Sequence, residues 1–334
     1  QDDEGYESGL EGWLPELWAC IGAKPLKSLN SAPLTYRVRD YSAVKQMTEG
    51  VPMGKLFHPA ASPILIDDKS TAVTVITNKR ITPDSYDRDI RHLELDITDT
   101  SLVYAVGDAL AIFPHNAESD VLEFCGYLGV DPLKDLCVEK IDTSNSARSG
   151  SIPPRVTTQQ LLQEVLDIFG KPSRRILQRL LPTAKEDVQL ELESLLSPER
   201  RDKWNELMSE TPTIAYLLRR FQLRPSLAEL ADAVPLIKPR LYSIASSQRL
   251  HPHVIQLCIV VVDWVTPSGR QRVGLCTNYV QKMKAGQRIV VSIRPSGFQR
   301  PPNHTAPLVM SALGTGIAPF RAFIQERKAA LEAG

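Results

Sequence analysis

Residues 240–265 read "RLYSIASSQRLHPHVIQLCIVVVDWV", and the fold turns on what this stretch resumes. "VIQLCIVVVDWV" (254–265) is a run of β-branched and apolar residues, and "RLYSIASS" (240–247) is an extended segment just after Pro239. Upstream, from about 117 to 235, the spacing is helical: "ESDVLEFCGYLG", "TTQQLLQEVLDIFG", "RRILQRLLP", "EDVQLELESLLS" and "TIAYLLRRF". Thr157 with Gln160, and Ser226 with Glu229, have the spacing of capping boxes, in which side chains satisfy free amides at a helix start. Strand patterns lie on both sides of the helical stretch. "TAVTVITNKR" (71–80), "RHLELDITD" (91–99) and "VGDALAIFP" (106–114) precede it, and "QRIVVSIRP" (287–295) follows. A β unit is thus split by a long helical insertion, and strands at this spacing predict an antiparallel sheet or barrel.

The composition bounds the function. The length of 334 residues suits two domains at about 150 residues each. Thirty-nine basic residues balance thirty-nine acidic ones, which argues against broad attraction to nucleic acid or an anionic membrane. No stretch approaches the roughly 20 apolar residues of a membrane span, and the opening "QDDEGYESGLEG" lacks the parts of a signal peptide. The five cysteines (Cys20, Cys125, Cys137, Cys258, Cys276) are widely spaced and never CxxC, so free thiols are expected, with neither disulfides nor a metal site. Residues 7–22 read as a short helix bearing Trp13, Leu14, Leu17 and Trp18; residues 23–60 have no sustained period and read as a linker.

Three segments carry chemistry. Arg240, Tyr242 and Ser243 combine a cation, an aromatic plate and a hydroxyl, with alternation placing Arg240 and Tyr242 on one side and Ser243 on the other. Such a set suits a ligand with both a phosphate and a flat ring, although an ordinary exposed strand has the same composition. In "GLCTNYVQKMKAG" (274–286), Gly274 permits an unusual backbone angle, Thr277 can cap, and a helix follows; a plain helix start reads alike. Cys276 reads as a small buried residue rather than a nucleophile, since no base is nearby in sequence. Lastly, in "PLVMSALGTGIAPFRAFIQER", Leu308 to Met310 reads as a strand, Gly314-Thr315-Gly316 as a phosphate-approaching turn, and Pro319 onward as a helix.

The order of these three segments, with the helical insertion, resembles the ferredoxin–NADP reductase family in its diflavin branch, most like the NADPH–cytochrome P450 reductases. Arg-x-Tyr-Ser-x-x-Ser of that family is similar to Arg240, Tyr242, Ser243 and Ser246, and its Gly-x-x-Thr to Gly274–Thr277. The resemblance implies an α+β fold: an antiparallel β-barrel FAD-binding domain, a large all-helical connecting domain inserted in it, and the first βα unit of a truncated α/β NADPH domain. The implied boundaries are 1–24 for the end of a flavodoxin-like FMN domain, 25–60 for a linker, 61–116 and 237–305 for the barrel, 117–236 for the connecting domain and 306–334 for the NADPH unit, which is expected frayed or held against the FAD domain.

The family's roles carry over residue by residue. Tyr242 would lie against the flavin ring, and Arg240, Gly274, Leu275, Cys276 and Thr277 would hold the FAD diphosphate. Ser243 would be catalytic, near flavin N5. Cys258 and Val260 would line the FAD, Trp264 would stand beside its adenosine, and Arg91 and Thr315 would reach NADPH. Ala109 stands where many relatives have His, and Leu313 where they have Pro. The implied activity is hydride transfer from NADPH to FAD, then electron transfer to FMN and to an acceptor such as cytochrome P450. A sulfite reductase flavoprotein, another multidomain fusion, or a non-catalytic FAD-binding docking domain would carry the same motifs. The partners implied are the FMN domain of the same polypeptide and a redox acceptor protein, with no nucleic acid and no membrane contact from these residues. The chain reads as cytoplasmic; any anchor to the endoplasmic reticulum would precede residue 1.

Overall fold

The computed structural model describes residues 17, 19–20, 33–43, 69–141, 152–298, 301, 303 and 306–333. Apart from Leu17, Ala19 and Cys20, the helix expected over 7–22 lies outside them. Eleven strands are seen among the described residues: β1 Tyr36–Asp40, β2 Thr71–Arg80, β3 Ile90–Asp96, β4 Ala109–Ile112, β5 Asp135–Lys140, β6 Arg155–Thr157, β7 Arg240–Ser243, β8 Val254–Val260, β9 Asp263–Val265, β10 Gln271–Val273 and β11 Arg288–Arg294.

Six of them form one antiparallel sheet in the order β7-β4-β11-β2-β3-β8. Alternation gives it one buried face, where Val73, Val75, Leu93, Leu95, Leu110, Ile112, Leu257, Ile259 and Ile289 are almost fully enclosed. The expected closed barrel is not formed. The edge strands β7 and β8 approach only at one bridge, Ile244 to Leu257, and at Ala245 N–H to Gln256 O, 2.8 Å. The ladder stops because the next amide, Gln256 N–H, donates to the Ser246 hydroxyl at 3.0 Å rather than to backbone. Closure requires a continuous register of backbone pairs, and a side chain has taken one of its places.

The insertion holds α1 Glu118–Leu128, α2 Thr158–Gln160 with a π-helical turn at Leu161–Val165, α3 Arg174–Leu180, α4 Glu186–Leu196, α5 Arg201–Ser209, α6 Ile214–Arg220 and α7 Leu227–Ala233. Both capping boxes form. Thr157 Oγ1 accepts from Gln160 N–H at 3.1 Å while Gln160 Oε1 accepts from Thr157 N–H at 3.0 Å, and Ser226 with Glu229 does the same. The insertion is not all helical, however. β5 and β6 lie inside it and pair with each other, and β5 also pairs with β1, which arises from the expected linker. "YRVRD" alternates, burying Tyr36, but five residues are too few to stand out without the partner strand.

Asn116 ties sheet to insertion. Its side-chain amide donates to the carbonyls of Leu162 (2.7 Å) and Leu166 (3.0 Å), at and just beyond the π-helical turn. Beside it the His115 and Tyr279 rings lie 4.9 Å apart, and Glu164 Oε2 is 3.9 Å from His115 Nε2, too far for a hydrogen bond. Burial therefore decides the His115 titration and pushes it down to about 4.

The last helices are α8 Leu275–Gln281 and α9 Ala318–Glu332. Leu308–Met310 is not a strand, since no neighbouring strand among the described residues pairs with it. α9 is held on the sheet domain: Phe323 and Ala322 pack with Val106, and Phe298 lies 5.5–5.7 Å from the rings of Phe320 and Phe323. Gly107 makes that approach possible. Its φ is +101°, and a Cβ there would sit 1.8 Å from Phe298 O.

Two stability measurements follow from these contacts. Gly107→Ala should cost more than about 2 kcal/mol in urea unfolding. Gly129→Ala, at a left-handed helix end with open space around it, should cost about 1 kcal/mol. For His115, the unfolded ring takes a proton near 6.5 and the folded one only near 4, so the unfolded state binds more protons between these values. Stability should therefore fall by about 3 kcal/mol as pH drops through that window, and His115→Gln should flatten the loss.

Candidate FAD site

β7 is an edge strand, and that position sets its chemistry. Register places Arg240 opposite Ile112 and Tyr242 opposite Leu110, both on the core face, with Ser243 opposite Ala109 on the other. The expected division of these side chains is therefore present. Arg240 is exposed, its Nη1 donating to Lys238 O at 2.9 Å. Tyr242 is half-buried and packs against the core cluster that holds Cys276. Burial raises the Tyr242 phenol, and burial likewise lifts Cys276 to about 11, against the smaller pull of the neighbouring Tyr242 hydroxyl and the Arg240 charge. Cys276 is thus a buried thiol held in its protonated form at neutral pH. Near Arg240, burial pushes the Asp167 carboxyl up, partly offset by the charges of Arg240 and Lys238.

The Gly274–Thr277 turn is built by close approach. Gly274 N–H donates to Val262 O at 2.8 Å, Val262 N–H donates to Thr277 Oγ1 at 3.1 Å, and that hydroxyl donates to Gly274 O at 3.3 Å. A Cβ on Gly274 would meet Thr277 Oγ1 at 3.0 Å and Val262 Cβ at 3.4 Å. Two expectations change here. Gly274 has an ordinary φ of −70°, so it is needed for room rather than for an unusual angle. Thr277 does not cap: Gly274 is the cap residue, and Thr277 sits in the first turn, bonded back to it.

β8 presents Cys258 and Val260, both half-buried, on the face away from the core. The turn at Gly314–Ile317, which contains Thr315, lies beside this strand. Arg91 pairs with Ile259 in register, on the opposite face from Cys258 and Val260, and is held by Asp89 Oδ2 at 3.0–3.1 Å. Trp264 stands on the β9–β10 hairpin, 40% exposed. The tip of that hairpin is fixed to the insertion: Ser268 N–H donates to Glu210 Oε1 at 2.9 Å, its hydroxyl donates to Glu210 Oε2, and Arg270 lies 5.8 Å from the Tyr216 ring. Leu275 is half-buried at the start of α8.

Sequence reasoning missed one network. Arg321 Nη1 donates to Ala245 O and Gln256 Oε1, both 2.6 Å, and Gln256 Nε2 donates to Glu94 Oε1 at 2.8 Å. Burial opposes the Glu94 charge, but hydrogen bonds from His92 and Gln256 prevail and lower its pKa. Ser247 adds bonds to Gln325 (2.9 Å) and Glu326 (2.5 Å). No local pattern marks these residues, because the partners are far apart in the chain. Among the described residues, no group of three His, Cys, Asp or Glu could hold a metal ion, and no helix is long and apolar enough to cross a membrane.

A family model described as the FAD binding domain matches residues 65–279, which hold β2, β3, β4, β7 and β8 of the six-stranded sheet and the insertion between them. The chain belongs to that family. Similarity to diflavin-type reductases accompanies it. The chain is 39% identical over 262 residues to the sulfite reductase [NADPH] flavoprotein component of Saccharomyces cerevisiae, covering 78% of this chain and 25% of that protein. It is 32% identical over 344 residues to human NADPH–cytochrome P450 reductase, covering 98% and 50%. It is 30% identical over 367 residues to the pyruvate dehydrogenase [NADP(+)] of Cryptosporidium parvum, covering 98% and 19%. The chain thus spans half or less of each of these relatives. The diflavin resemblance stands at this level, while the finer likeness to cytochrome P450 reductases is not favoured.

Thiol reactivity checks the reading of the cysteines. At pH 8 iodoacetamide should label exposed Cys20 first and leave Cys276 unmodified, as judged by mass spectrometry of the peptides. Rapid labelling of Cys276 in folded protein would contradict its burial.

Proposed function

We propose that this chain is the FAD-binding part of an NADPH-dependent diflavin reductase of the sulfite reductase flavoprotein kind. The observation that supports the FAD reading most is the packing of Tyr242 against the cluster that holds Cys276, which brings the Arg240–Ser243 strand and the Gly274–Thr277 turn to one place. The residues there fit FAD: an exposed guanidinium, an aromatic edge, and a turn in which any Cβ on Gly274 would crowd the Thr277 hydroxyl. Bound FAD would supply acceptance of hydride from NADPH and release of single electrons to FMN.

The protein's part is binding and orientation. Arg240, with the 274–277 backbone and Thr277, would hold the diphosphate. Tyr242 would support the flavin ring, and Cys258 and Val260 would exclude water beside it. Ser243, on the other side of β7 and opposite the small Ala109, would supply a hydroxyl to the reacting end. Thr315 and Arg91 are assigned to NADPH, and Trp264 to adenosine. In domain terms we assign 61–116 and 237–305 to the FAD-binding part, 117–236 to a connecting domain joined by β1, and 306–334 to the opening of an NADPH domain. Residues 1–24 would close an FMN domain. The acceptor reading follows the higher identity to the yeast sulfite reductase component. A second reading, a fusion in which electrons move toward NADP+, is supported by the pyruvate dehydrogenase [NADP(+)] relatives, which align over 98% of the chain.

The visible spectrum of the purified chain, with the released cofactor identified, tests the proposal. About one FAD per chain is expected, and Tyr242→Ala should weaken FAD binding about tenfold. Bound FMN, or a colourless protein that refuses added FAD, would overturn it.

A further inference from the structure

We infer that Arg272 binds the adenosine diphosphate half of the dinucleotide, beside Trp264; the inference rests on the FAD reading above and deepens it. β9 and β10 pair with Trp264 directly opposite Arg272, and directly opposed residues on antiparallel strands project to the same face. One step along, Gly274 N–H meets Val262 O at 2.8 Å, and a Cβ on Gly274 would lie 3.4 Å from Val262 Cβ and 3.0 Å from Thr277 Oγ1. By the same alternation this is the face of Trp264 and Arg272. It therefore carries the glycine turn and then, side by side, a guanidinium and an indole.

Arg272 is half-buried and unspent. Its Nε is sealed from solvent without a hydrogen-bond partner, and no carboxylate among the described residues pairs with it. The acids nearby are otherwise engaged: Asp263, on the opposite face, accepts from Gln271 at 2.7 Å, and Glu210 is taken by Ser268. Arg270 lies over the Tyr216 ring instead. A buried guanidinium N–H without an acceptor is costly. An acceptor with several anionic oxygens in a plane suits its fork, and a diphosphate supplies them. Trp264, 40% exposed, leaves ring surface for a base. Because the hairpin tip is already bonded to Glu210, the pair is positioned before ligand arrives, which lowers the ordering cost of binding.

The experiment titrates FAD, FMN and ADP into the cofactor-stripped chain, comparing the natural sequence with Arg272→Met and Arg272→Lys. Flavins are followed by fluorescence and ADP by calorimetry. Arg272→Met should weaken FAD and ADP about tenfold, equivalent to about 1.4 kcal/mol, with FMN unchanged and Arg272→Lys in between. Unchanged FAD and ADP affinity in Arg272→Met would overturn the assignment. So would equal losses for FAD and FMN, which would report a displaced hairpin rather than a lost ligand. ADP binding that depends on Arg272 in a chain that refuses FAD would sink the flavin reading and keep this one. A chain that binds neither would sink both.

Discussion

The site depends on one close approach: Gly274 against Val262 and the Thr277 hydroxyl. Three backbone and side-chain hydrogen bonds converge there and join the residue just past β8 to the start of α8. Val262 continues from β8, so the approach fixes where the face bearing Cys258 and Val260 ends. Between Val262 and Gly274 the chain makes the β9–β10 hairpin, so the same contact closes that excursion and aims Trp264. Beyond Gly274 lies α8, whose Cys276 belongs to the core cluster that Tyr242 of β7 packs against. A methyl group on Gly274 would press on all of these at once, because interiors are packed too closely to absorb it locally.

Around this centre, open edges are fastened by elements from elsewhere in the chain. The six-stranded sheet is not closed by its own ladder, and the gap between β7 and β8 is spanned by Ser246, which accepts from Gln256 N–H. α9 then lies across that seam, with Arg321 bonded to Ala245 on one side and Gln256 on the other. On the far side the insertion holds the hairpin through Glu210 and the sheet through Asn116. Such side-chain links are specific without being a continuous backbone ladder, so the sheet's shape is set by what surrounds it.

Much of this was legible in the sequence. The alternation of Val73 and Val75, and of Leu93 and Leu95, marks strands whose one face is buried, and both capping boxes announce helix starts. These signals are local: a period or a spacing encodes them within a few residues. β1, β5 and β6 escaped because short strands gain their identity from partners, and β1 meets its partner β5 only after β2, β3, β4 and α1 have intervened in the chain. Leu308–Met310 erred the other way, being apolar enough for a strand but without one to pair with among the described residues.

By itself, then, the sequence determined the two textures of the chain, the split of the β unit, the division of Arg240 and Tyr242 from Ser243, and the family. Each is carried by residue type at short spacing. Tertiary structure alone decided that the sheet stays open, that Gly274 is required for room and not for its dihedral, and that Arg321 joins α9 to the seam. It also decided that Arg272 shares a face with Trp264 and the glycine turn. These depend on distances between segments far apart in the chain, which hydrophobic period and motif spacing do not encode until the chain has folded.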